Sequence, residues 1–302
     1  MQLYRTMLFI PAQKDRWIAK VGGLGADSII LDLEDALPDD LKAPTRARIG
    51  AAIDAVADAG VPCFVRTNAM ATGMLFEDLD AVATPALTGV VLAKVDTPEE
   101  VRIIDTFLSD LERRRGIPDR RIELVITAET ANCIEHAYDI CAASPRVGTI
   151  MGGTARGGDI NRAIGYVWTR DGIESLYLRS RIVVGARAAG IQYPISGIWT
   201  DIEDLEGLRA HALRNRQLGY RGEFVIHPSH VPIVNEVYTP SKEDIEYSRG
   251  VLEAMAAAER AGSAGVRFRG ELIDYAHVRS ARDTLALVDR FPTGPPLERR
   301  RL

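Results

Sequence analysis

Leu124-Val125-Ile126-Thr127-Ala128 is an apolar run that leads directly into Glu129, and Val147-Gly148-Thr149-Ile150-Met151 is a second run that leads through a glycine-rich loop to Asp159. Nearly continuous apolar runs of this length predict strands that are buried on both faces, as in parallel sheets. A carboxylate at the end of such a strand is a poor core residue and a good ligand for Mg²⁺. Because Mg²⁺ held by one or two carboxylates keeps positions for water and substrate oxygens, the pair predicts chemistry on an oxygen-rich small molecule.

Six further runs of the same kind predict six more strands: Met7-Leu8-Phe9-Ile10, Ser28-Ile29-Ile30-Leu31, Cys63-Phe64-Val65, Gly89-Val90-Val91-Leu92, Ile195-Ser196-Gly197-Ile198 and Glu223-Phe224-Val225-Ile226. The segments between them predict helices, most clearly Pro44 to Ala59, a helix that begins at Thr97-Pro98, and Leu176 to Ala189 before Gly190. Eight strands that alternate with helices predict an α/β fold, a (β/α)8 TIM barrel. An open doubly wound sheet remains the alternative, because alternation alone does not show closure.

The pattern changes after residue 240. Ser241 to Glu259 predicts one long helix, and a glycine-rich joint, the segment Val266 to Asp274 and another helix to about Val288 follow it. We therefore expect a barrel domain at residues 1–240 and a C-terminal helical segment at residues 241–290. Residues 291–302 combine prolines and charges without an apolar face, and we expect them to form a mobile tail.

The composition limits the class of protein. The chain has 302 residues, of which 46% are hydrophobic and 26% charged, and a net charge of −5, which is typical of a globular protein and not of a nucleic-acid binder. No apolar run reaches the roughly 20 residues that span a bilayer, and the start of the chain does not resemble a signal peptide. The three cysteines lack metal-binding or CxxC spacing, so we expect them to be reduced and the protein to be cytoplasmic. From the net charge and the apolar runs, we expect neither a nucleic-acid partner nor a membrane partner.

Active sites of α/β barrels lie at the C-terminal ends of the strands, so the polar residues at those ends form one candidate set. Glu129 and Asp159 are the predicted metal ligands. Arg66 carries the planar fork that pairs with a substrate carboxylate, or it forms a buried ion pair with a neighbouring acid. Glu34 and Asp35 are expected on the substrate side of the site, where they can hydrogen-bond metal-bound water.

Two further strand-end residues and one loop allow more than one interpretation. Lys94 either contacts a phosphate or forms a salt bridge at the barrel floor, and His227 either belongs to the site or caps the eighth strand. The loop Gly152 to Asp159 is rich in glycine but lacks the spacing of a P-loop or a dinucleotide-binding motif. Its glycines are expected to let the backbone approach a ligand.

Seven short motifs follow one another along the chain: Arg5-Thr6-Met7-Leu8-Phe9-Ile10-Pro11-Ala12, Asp32-Leu33-Glu34-Asp35-Ala36, Lys42 with Arg46 and Arg48, Val65-Arg66-Thr67-Asn68, Glu129-Thr130-Ala131, Ile226-His227-Pro228 and Gly270-Glu271-Leu272-Ile273-Asp274. This ordered set resembles the citrate lyase β-subunit-like family of the HpcH/HpaI aldolase superfamily, with its malyl-CoA and citramalyl-CoA lyase relatives. The resemblance covers roughly residues 5 to 286.

The resemblance implies a TIM barrel with Mg²⁺ at Glu129 and Asp159 and with Arg66 on the substrate carboxylate or carbonyl. It implies that residues 241–290 form a lid over the site of a neighbouring subunit, in a homotrimer or a hexamer built as a dimer of trimers. On that lid Asp274 would act as the catalytic acid or base.

The resemblance also implies that the phosphates of CoA contact Arg5, Lys14 and Arg16.

The chain departs from the family pattern at three places. Ala93-Lys94 replaces a Pro-Lys pair, Gly222-Glu223 replaces a Gly-Lys pair, and the loop Met151 to Ile160 is longer than its counterpart. We expect the loop and Glu223 to affect which acyl substrate is bound, and not the metal chemistry.

The implied reaction is the reversible carbon–carbon cleavage of a β-hydroxyacyl-CoA, such as citryl-, malyl- or citramalyl-CoA, to a keto acid and an acyl-CoA. Two alternatives remain: a CoA-independent keto-acid aldolase of the HpcH/HpaI type, and a catalytically silent protein that binds a keto acid or CoA ester.

Overall fold

Eight parallel strands close into a barrel in the computed structural model, which describes residues 2–291. The strands are β1 (Thr6–Pro11), β2 (Ser28–Asp32), β3 (Cys63–Thr67), β4 (Gly89–Leu92), β5 (Glu123–Thr127), β6 (Val147–Gly153), β7 (Ile195–Gly197) and β8 (Gly222–Val225). The barrel closes where Met7 of β1 pairs with Phe224 of β8. This pairing confirms the predicted (β/α)8 barrel and excludes the open sheet.

Helices alternate with the strands. The α-helices of the barrel region are α1 (Asp15–Ile18), α2 (Asp39–Arg46), α3 (Ile49–Asp58), α4 (Leu75–Val82), α5 (Pro98–Arg115), α6 (Ala131–Glu135), α7 (Ala137–Ala142), α8 (Asp159–Ile164), α9 (Leu176–Ala188), α10 (Leu205–Leu218) and α11 (Val231–Tyr238). Short 3₁₀ turns lie at Val21–Gly23, Met70–Thr72, Ile173–Ser175 and Pro228–His230. The predicted starts and ends of α5 and α9 are confirmed: Thr97 forms a capping box with Glu100 before α5, and α9 ends two residues before Gly190.

The single helix predicted from Pro44 to Ala59 is wrong. Two helices, α2 and α3, occupy this region, and the chain leaves helical geometry at Arg48. Pro44 lies inside α2, because the helix begins earlier, at the acidic pair Asp39 and Asp40. Acids in the first turn favour a helix start by complementing its dipole, and this signal outweighs the proline.

One apolar cluster fills the barrel. It contains a buried side chain from each of the eight strands, together with a tyrosine that precedes β1: Tyr4, Met7, Ile30, Phe64, Val91, Val125, Met151, Ile195 and Phe224. Because side chains of a strand alternate between its two faces, these positions define the inward face of every strand. The neighbouring positions, including Glu223, face the helical layer.

Residues after Glu236 form a second compact unit. It contains the end of α11, then α12 (Lys242–Arg260), an antiparallel hairpin of β9 (Val266–Phe268) and β10 (Glu271–Ile273), and α13 (Tyr275–Arg290). Its own core is formed by Val251, Met255, Ile273, Val278 and Ala281. The division falls four residues before the predicted boundary at residue 240, and all of the predicted tail except Phe291 lies outside the described residues.

None of the helices within residues 2–291 combines the length and the apolar character that crossing a membrane requires.

Candidate active site at the barrel mouth

Arg66 lies at the C-terminal end of β3, as predicted from the sequence. Its Nε and Nη2 donate to the two carboxylate oxygens of Asp32 at 2.8 and 2.6 Å, and its Nη1 lies 3.0 Å from Glu34 Oε2. The guanidinium also lies 4.8 Å from the centroid of the Phe9 ring. Burial acts to lower the pKa of Arg66, but the hydrogen bonds and charges of Asp32 and Glu34 outweigh it and raise that pKa. The ion-pair interpretation is therefore correct for the structure, and the same geometry holds Arg66 rigidly in the mouth.

Lys94 forms salt bridges, as one of its two interpretations stated, but it does so between three carboxylates at the mouth and not at the barrel floor. Its Nζ is 2.7 Å from Glu34 Oε1, 3.4 Å from Asp159 Oδ2 and 3.5 Å from Asp35 Oδ2. Burial raises the pKa of Glu34 to about 7, although the nearby Arg66 and Lys94 charges act to lower it. The side chains therefore form a row of alternating charges across the mouth.

Glu129 follows β5 and is held by its neighbours. The backbone N–H of Lys94 donates to Glu129 Oε2 at 3.2 Å, and the hydroxyl of Thr127 donates to the same oxygen at 3.0 Å. Burial raises the pKa of Glu129, the charges of Arg66 and Lys94 oppose this effect, and the charge of Asp159 adds to it. Among the described residues, both hydrogen bonds that Glu129 accepts go to Oε2, which leaves Oε1 for another partner.

Asp159 is the first residue of α8. The strand β6 continues to Gly153, so only five residues, 154–158, connect it to α8. The loop predicted over Met151–Ile160 is therefore shorter than the sequence suggested, because its first residues belong to the strand. The carboxylate of Asp159 also lies 3.5 Å from Nη2 of Arg162, whose side chain is 86% exposed.

The donor set at the mouth fits Mg²⁺. No group of three or more acidic, histidine or cysteine side chains with metal-binding geometry occurs among residues 2–291, so a dedicated protein cage is absent there. Mg²⁺ does not need one, because it is usually bound by one or two carboxylates together with water and substrate oxygens. The charge of Asp159 acts on Glu129, and a cation held by both would offset this repulsion and the burial of Glu129.

The three residues predicted to contact CoA lie at different ends of the barrel. Arg5 precedes β1 and forms a two-point ion pair with Asp27, from Nε at 2.9 Å and Nη2 at 2.8 Å. This position is at the N-terminal end of the strands, away from the mouth, and the contact of Arg5 with CoA stays a prediction. Lys14 and Arg16 follow β1 at the mouth end and are exposed, and Lys14 Nζ lies 5.9 Å from the Trp17 ring centroid.

Two site candidates have capping roles. Asp274 belongs to the second unit, where it is the N-cap of α13: its Oδ1 accepts from the backbone N–H of Ala276 at 2.9 Å and lies 2.9 Å from Nδ1 of His277. The hydrogen bond to His277 and that to the backbone lower the pKa of the exposed Asp274 carboxyl. His227 caps the 3₁₀ turn after β8 by accepting from the backbone N–H of Ser229 at 3.3 Å.

Glu223 does not face the substrate region, which corrects the expectation from the sequence. It points away from the barrel interior, because its neighbour Phe224 occupies the inward face. Its Oε1 accepts from Ser196 Oγ at 3.0 Å and from Asn215 Nδ2 at 3.1 Å, and lies 3.3 Å from His211 Nε2. The lysine-to-glutamate departure therefore concerns packing between β8 and α10.

Sequence reasoning missed two residues that support the mouth. Asp78, on α4, is fully buried and accepts from the backbone and side-chain amides of Asn68 at 2.8 and 2.7 Å and from Nε of Arg46 at 2.6 Å. It holds the end of β3 in place from helix α4. Because it does not follow a strand, the pattern of polar residues at strand ends does not include it. Thr127 is the second residue, and its position two residues before Glu129 could have identified it.

Three comparisons with other proteins bear on this site. A family model described as HpcH/HpaI aldolase/citrate lyase matches residues 5–228. The chain is 31% identical to an L-malyl-CoA/β-methylmalyl-CoA lyase of Cereibacter sphaeroides, with 92% of each chain covered, and 31% identical to a (3S)-malyl-CoA thioesterase of the same species, with 94% of each covered. A crystal structure of CitE from Mycobacterium tuberculosis in complex with magnesium, acetoacetate and coenzyme A is 28% identical, with 95% of this chain and 98% of that chain covered and a TM-score of 0.73.

Proposed function

Because the chain belongs to the HpcH/HpaI aldolase/citrate lyase family, we propose that it is a Mg²⁺-dependent carbon–carbon lyase that cleaves or forms a β-hydroxyacyl-CoA at the barrel mouth. The observation that carries this proposal is the joint presence of Glu129, Asp159 and Arg66 at one end of the barrel. The similarity to structures that contain magnesium and coenzyme A, and to lyases of malyl-CoA esters, supports the same chemistry.

The residues of the mouth have separate tasks in this reaction. Glu129 and Asp159 would hold Mg²⁺, which when bound polarises the keto-acid oxygens as a Lewis acid. Arg66 directs a fixed positive charge at the same oxygens, and its ion pair with Asp32 keeps the guanidinium in place before substrate arrives. Glu34 and Asp35 complete the polar wall on the substrate side.

In the cleavage step a base accepts the hydroxyl proton, the O–H electron pair becomes the carbonyl π bond of the keto acid, and the electrons of the broken C–C bond form the enolate of the acyl-CoA. We assign the protonation of that enolate carbon to Asp274, delivered by the lid of a neighbouring subunit in a trimer or dimer of trimers. Closure of such a lid would also exclude water from the enolate.

Hydrolysis of a CoA thioester is a second candidate activity, which the similarity to a (3S)-malyl-CoA thioesterase supports. A CoA-independent aldolase and a silent binding protein also remain alternatives. Assays with Mg²⁺ separate the four possibilities. With malyl-, citramalyl- or citryl-CoA, a lyase releases keto acid without free thiol and a thioesterase releases free CoA thiol. With the free hydroxy acids in place of the esters, only a CoA-independent aldolase releases keto acid. A silent protein turns over neither kind of substrate and shows only thermal stabilisation by keto acid.

The test of the metal site is the replacement Glu129→Gln. We expect this change to weaken Mg²⁺ binding at least tenfold in isothermal titration calorimetry and to remove keto-acid release, because the amide carries no charge for the cation. Asp119→Asn is the control, since it removes one exposed carboxylate at the opposite end of the barrel, before β5. Unchanged Mg²⁺ affinity in Glu129→Gln would contradict the proposed site.

A further inference from the structure

Lys94 contacts both of the proposed metal ligands with different parts of the same residue. Its backbone N–H donates to Glu129 Oε2 at 3.2 Å, and its side-chain Nζ lies 3.4 Å from Asp159 Oδ2. The same N–H also lies 3.2 Å from the hydroxyl of Thr127, which itself donates to Glu129. One residue after β4 therefore connects the carboxylate after β5 with the carboxylate at the start of α8.

The backbone of Lys94 has an unusual conformation that makes this double contact possible. Its φ angle is +51°, in the left-handed region that residues with a side chain rarely adopt. Glycine adopts this conformation without a steric cost, so the backbone contact to Glu129 alone would not require lysine. Strained positions of this kind concentrate at functional sites, where the surroundings hold them in place. The backbone contact therefore does not account for lysine at this position, and the role of the residue lies in its side chain.

The ammonium of Lys94 faces more negative charge than it can neutralise. Glu34 at 2.7 Å, Asp159 at 3.4 Å and Asp35 at 3.5 Å surround a side chain that is 31% exposed. A divalent cation held by Asp159 would lie within a few ångströms of this ammonium, and the two positive charges would repel each other in this partly buried site. Asp159 therefore cannot bind a divalent cation and the ammonium of Lys94 equally well at the same time.

We propose that Lys94 is a charge-exchange residue: Mg²⁺ replaces its ammonium on Asp159, and the released ammonium, still held by Glu34, binds the carboxylate of the incoming keto acid. This inference rests on the proposed function. It assigns an order to binding, in which the metal comes first and creates a free positive charge for the anionic substrate. Glu34 acts as the anchor, because its contact with Lys94 is the shortest of the three.

The test compares Lys94→Met with Arg162→Met. Both changes remove one positive charge from Asp159, but Arg162 contacts it at 3.5 Å from a side chain that is 86% exposed and screened by water. We expect Lys94→Met to tighten the binding of Mg²⁺ alone by roughly tenfold in calorimetry, since a tenfold change corresponds to only part of the repulsion removed. At saturating Mg²⁺, the same variant should bind oxaloacetate or pyruvate at least tenfold more weakly. Arg162→Met should change either affinity by less than about twofold.

Lys94→Gly is a second variant that guards against misfolding, because its backbone suits φ +51° and keeps the N–H bond to Glu129. It should reproduce both shifts. Unchanged or weaker Mg²⁺ binding in both Lys94 variants would overturn the exchange, and unchanged keto-acid binding would overturn the substrate contact. Failure of the proposed function is a different result, in which wild-type protein and Glu129→Gln bind Mg²⁺ equally.

Discussion

At the scale of single residues, the most unusual group outside the mouth is the buried carboxyl of Glu223. Its side chain is 1% exposed, its Oε1 takes hydrogen bonds from Ser196 and Asn215, and no described residue hydrogen-bonds its Oε2. Burial raises the pKa of Glu223 to about 7, and burial together with the charge of Arg179 lowers the pKa of the adjacent His211 to about 3. The folded protein therefore favours neutral forms of both groups.

The two groups affect stability in opposite directions. Between about pH 4.5 and 7 the folded state keeps a proton on Glu223 that the unfolded chain has lost, so this group makes stability fall as pH rises. Between about pH 6.5 and 3 the unfolded chain binds a proton on His211 that the folded state excludes, so this group makes stability fall as pH falls. Over the shared window the two contributions largely cancel.

The replacement Glu223→Gln should remove this cancellation. As pH rises from 5 to 7, we expect the free energy of unfolding of the variant to increase, relative to that of wild type, by about 1 kcal/mol per pH unit. Wild type releases the buried Glu223 proton when it unfolds in this range, and the glutamine variant has no such proton to release. Urea unfolding at pH 5, 6 and 7 measures the difference. Glu206→Gln, at an exposed position of helix α10, is the control and should show no such trend. A pH-independent difference would mean that Glu223 is already ionised in the folded protein.

At the scale of secondary-structure elements, the seam between β1 and β8 closes the barrel with no space for a side chain. A Cβ atom added at Gly222 would lie 2.1 Å from the carbonyl oxygen of Tyr4 and 3.0 Å from that of Arg5. These are backbone atoms just before β1, and they cannot move without separating the two paired strands. Only glycine fits this position of β8.

We therefore expect Gly222→Ala to destabilise the protein by about 3 kcal/mol or more, or to prevent folding, because overpacking against a fixed backbone cannot be relieved by a rotamer change. Gly23→Ala is the matched control, since a Cβ there meets nothing within 4 Å. Thermal unfolding of both variants measures the effect. Equal melting temperatures would show that the seam is less rigid than its hydrogen-bonded register indicates.

The elements also show what the sequence can and cannot predict. Apolar runs locate all eight strands, because strands covered on both faces need apolar residues at consecutive positions. They place the end of β3 too early, because Arg66 and Thr67 continue the backbone pairing with β4 despite their polar side chains. The direction of Glu223 could have been inferred from alternation with Phe224. The contribution of Asp78 could not, because it approaches the mouth from α4 and depends on tertiary packing.

At the scale of the whole molecule, the chain consists of two units with separate cores, and the proposed catalytic groups are divided between them. The metal ligands lie in the barrel unit, and Asp274 lies in the second unit. Asp274 already has a structural role as the N-cap of α13, whose loss costs about 1 kcal/mol by itself. Reduced activity of an Asp274 variant would therefore not prove a catalytic role, and Asn, which is an equally good N-cap, is the appropriate replacement.

Mixing two inactive variants tests the proposed exchange of lids between subunits. Glu129→Gln lacks a metal ligand and Asp274→Asn lacks the proton donor, so each homo-oligomer should show little turnover. If the lid of one subunit serves the barrel of the next, random reassembly of an equal mixture gives intact barrel and intact lid together in about a quarter of the sites. We therefore expect keto-acid release to recover to about 25% of the wild-type rate.

A double variant that carries both replacements on one chain is the control, and its mixture with wild type gives the same fraction of complete sites. If the lid instead serves its own barrel, no mixed site in the two-variant experiment is complete and turnover stays at the level of the separate variants. Light scattering of the same samples reports whether the protein forms trimers or hexamers. Turnover that stays at the level of the separate variants in a sample of trimers or hexamers would contradict the proposal, because the two halves of the site would then have to meet within one chain.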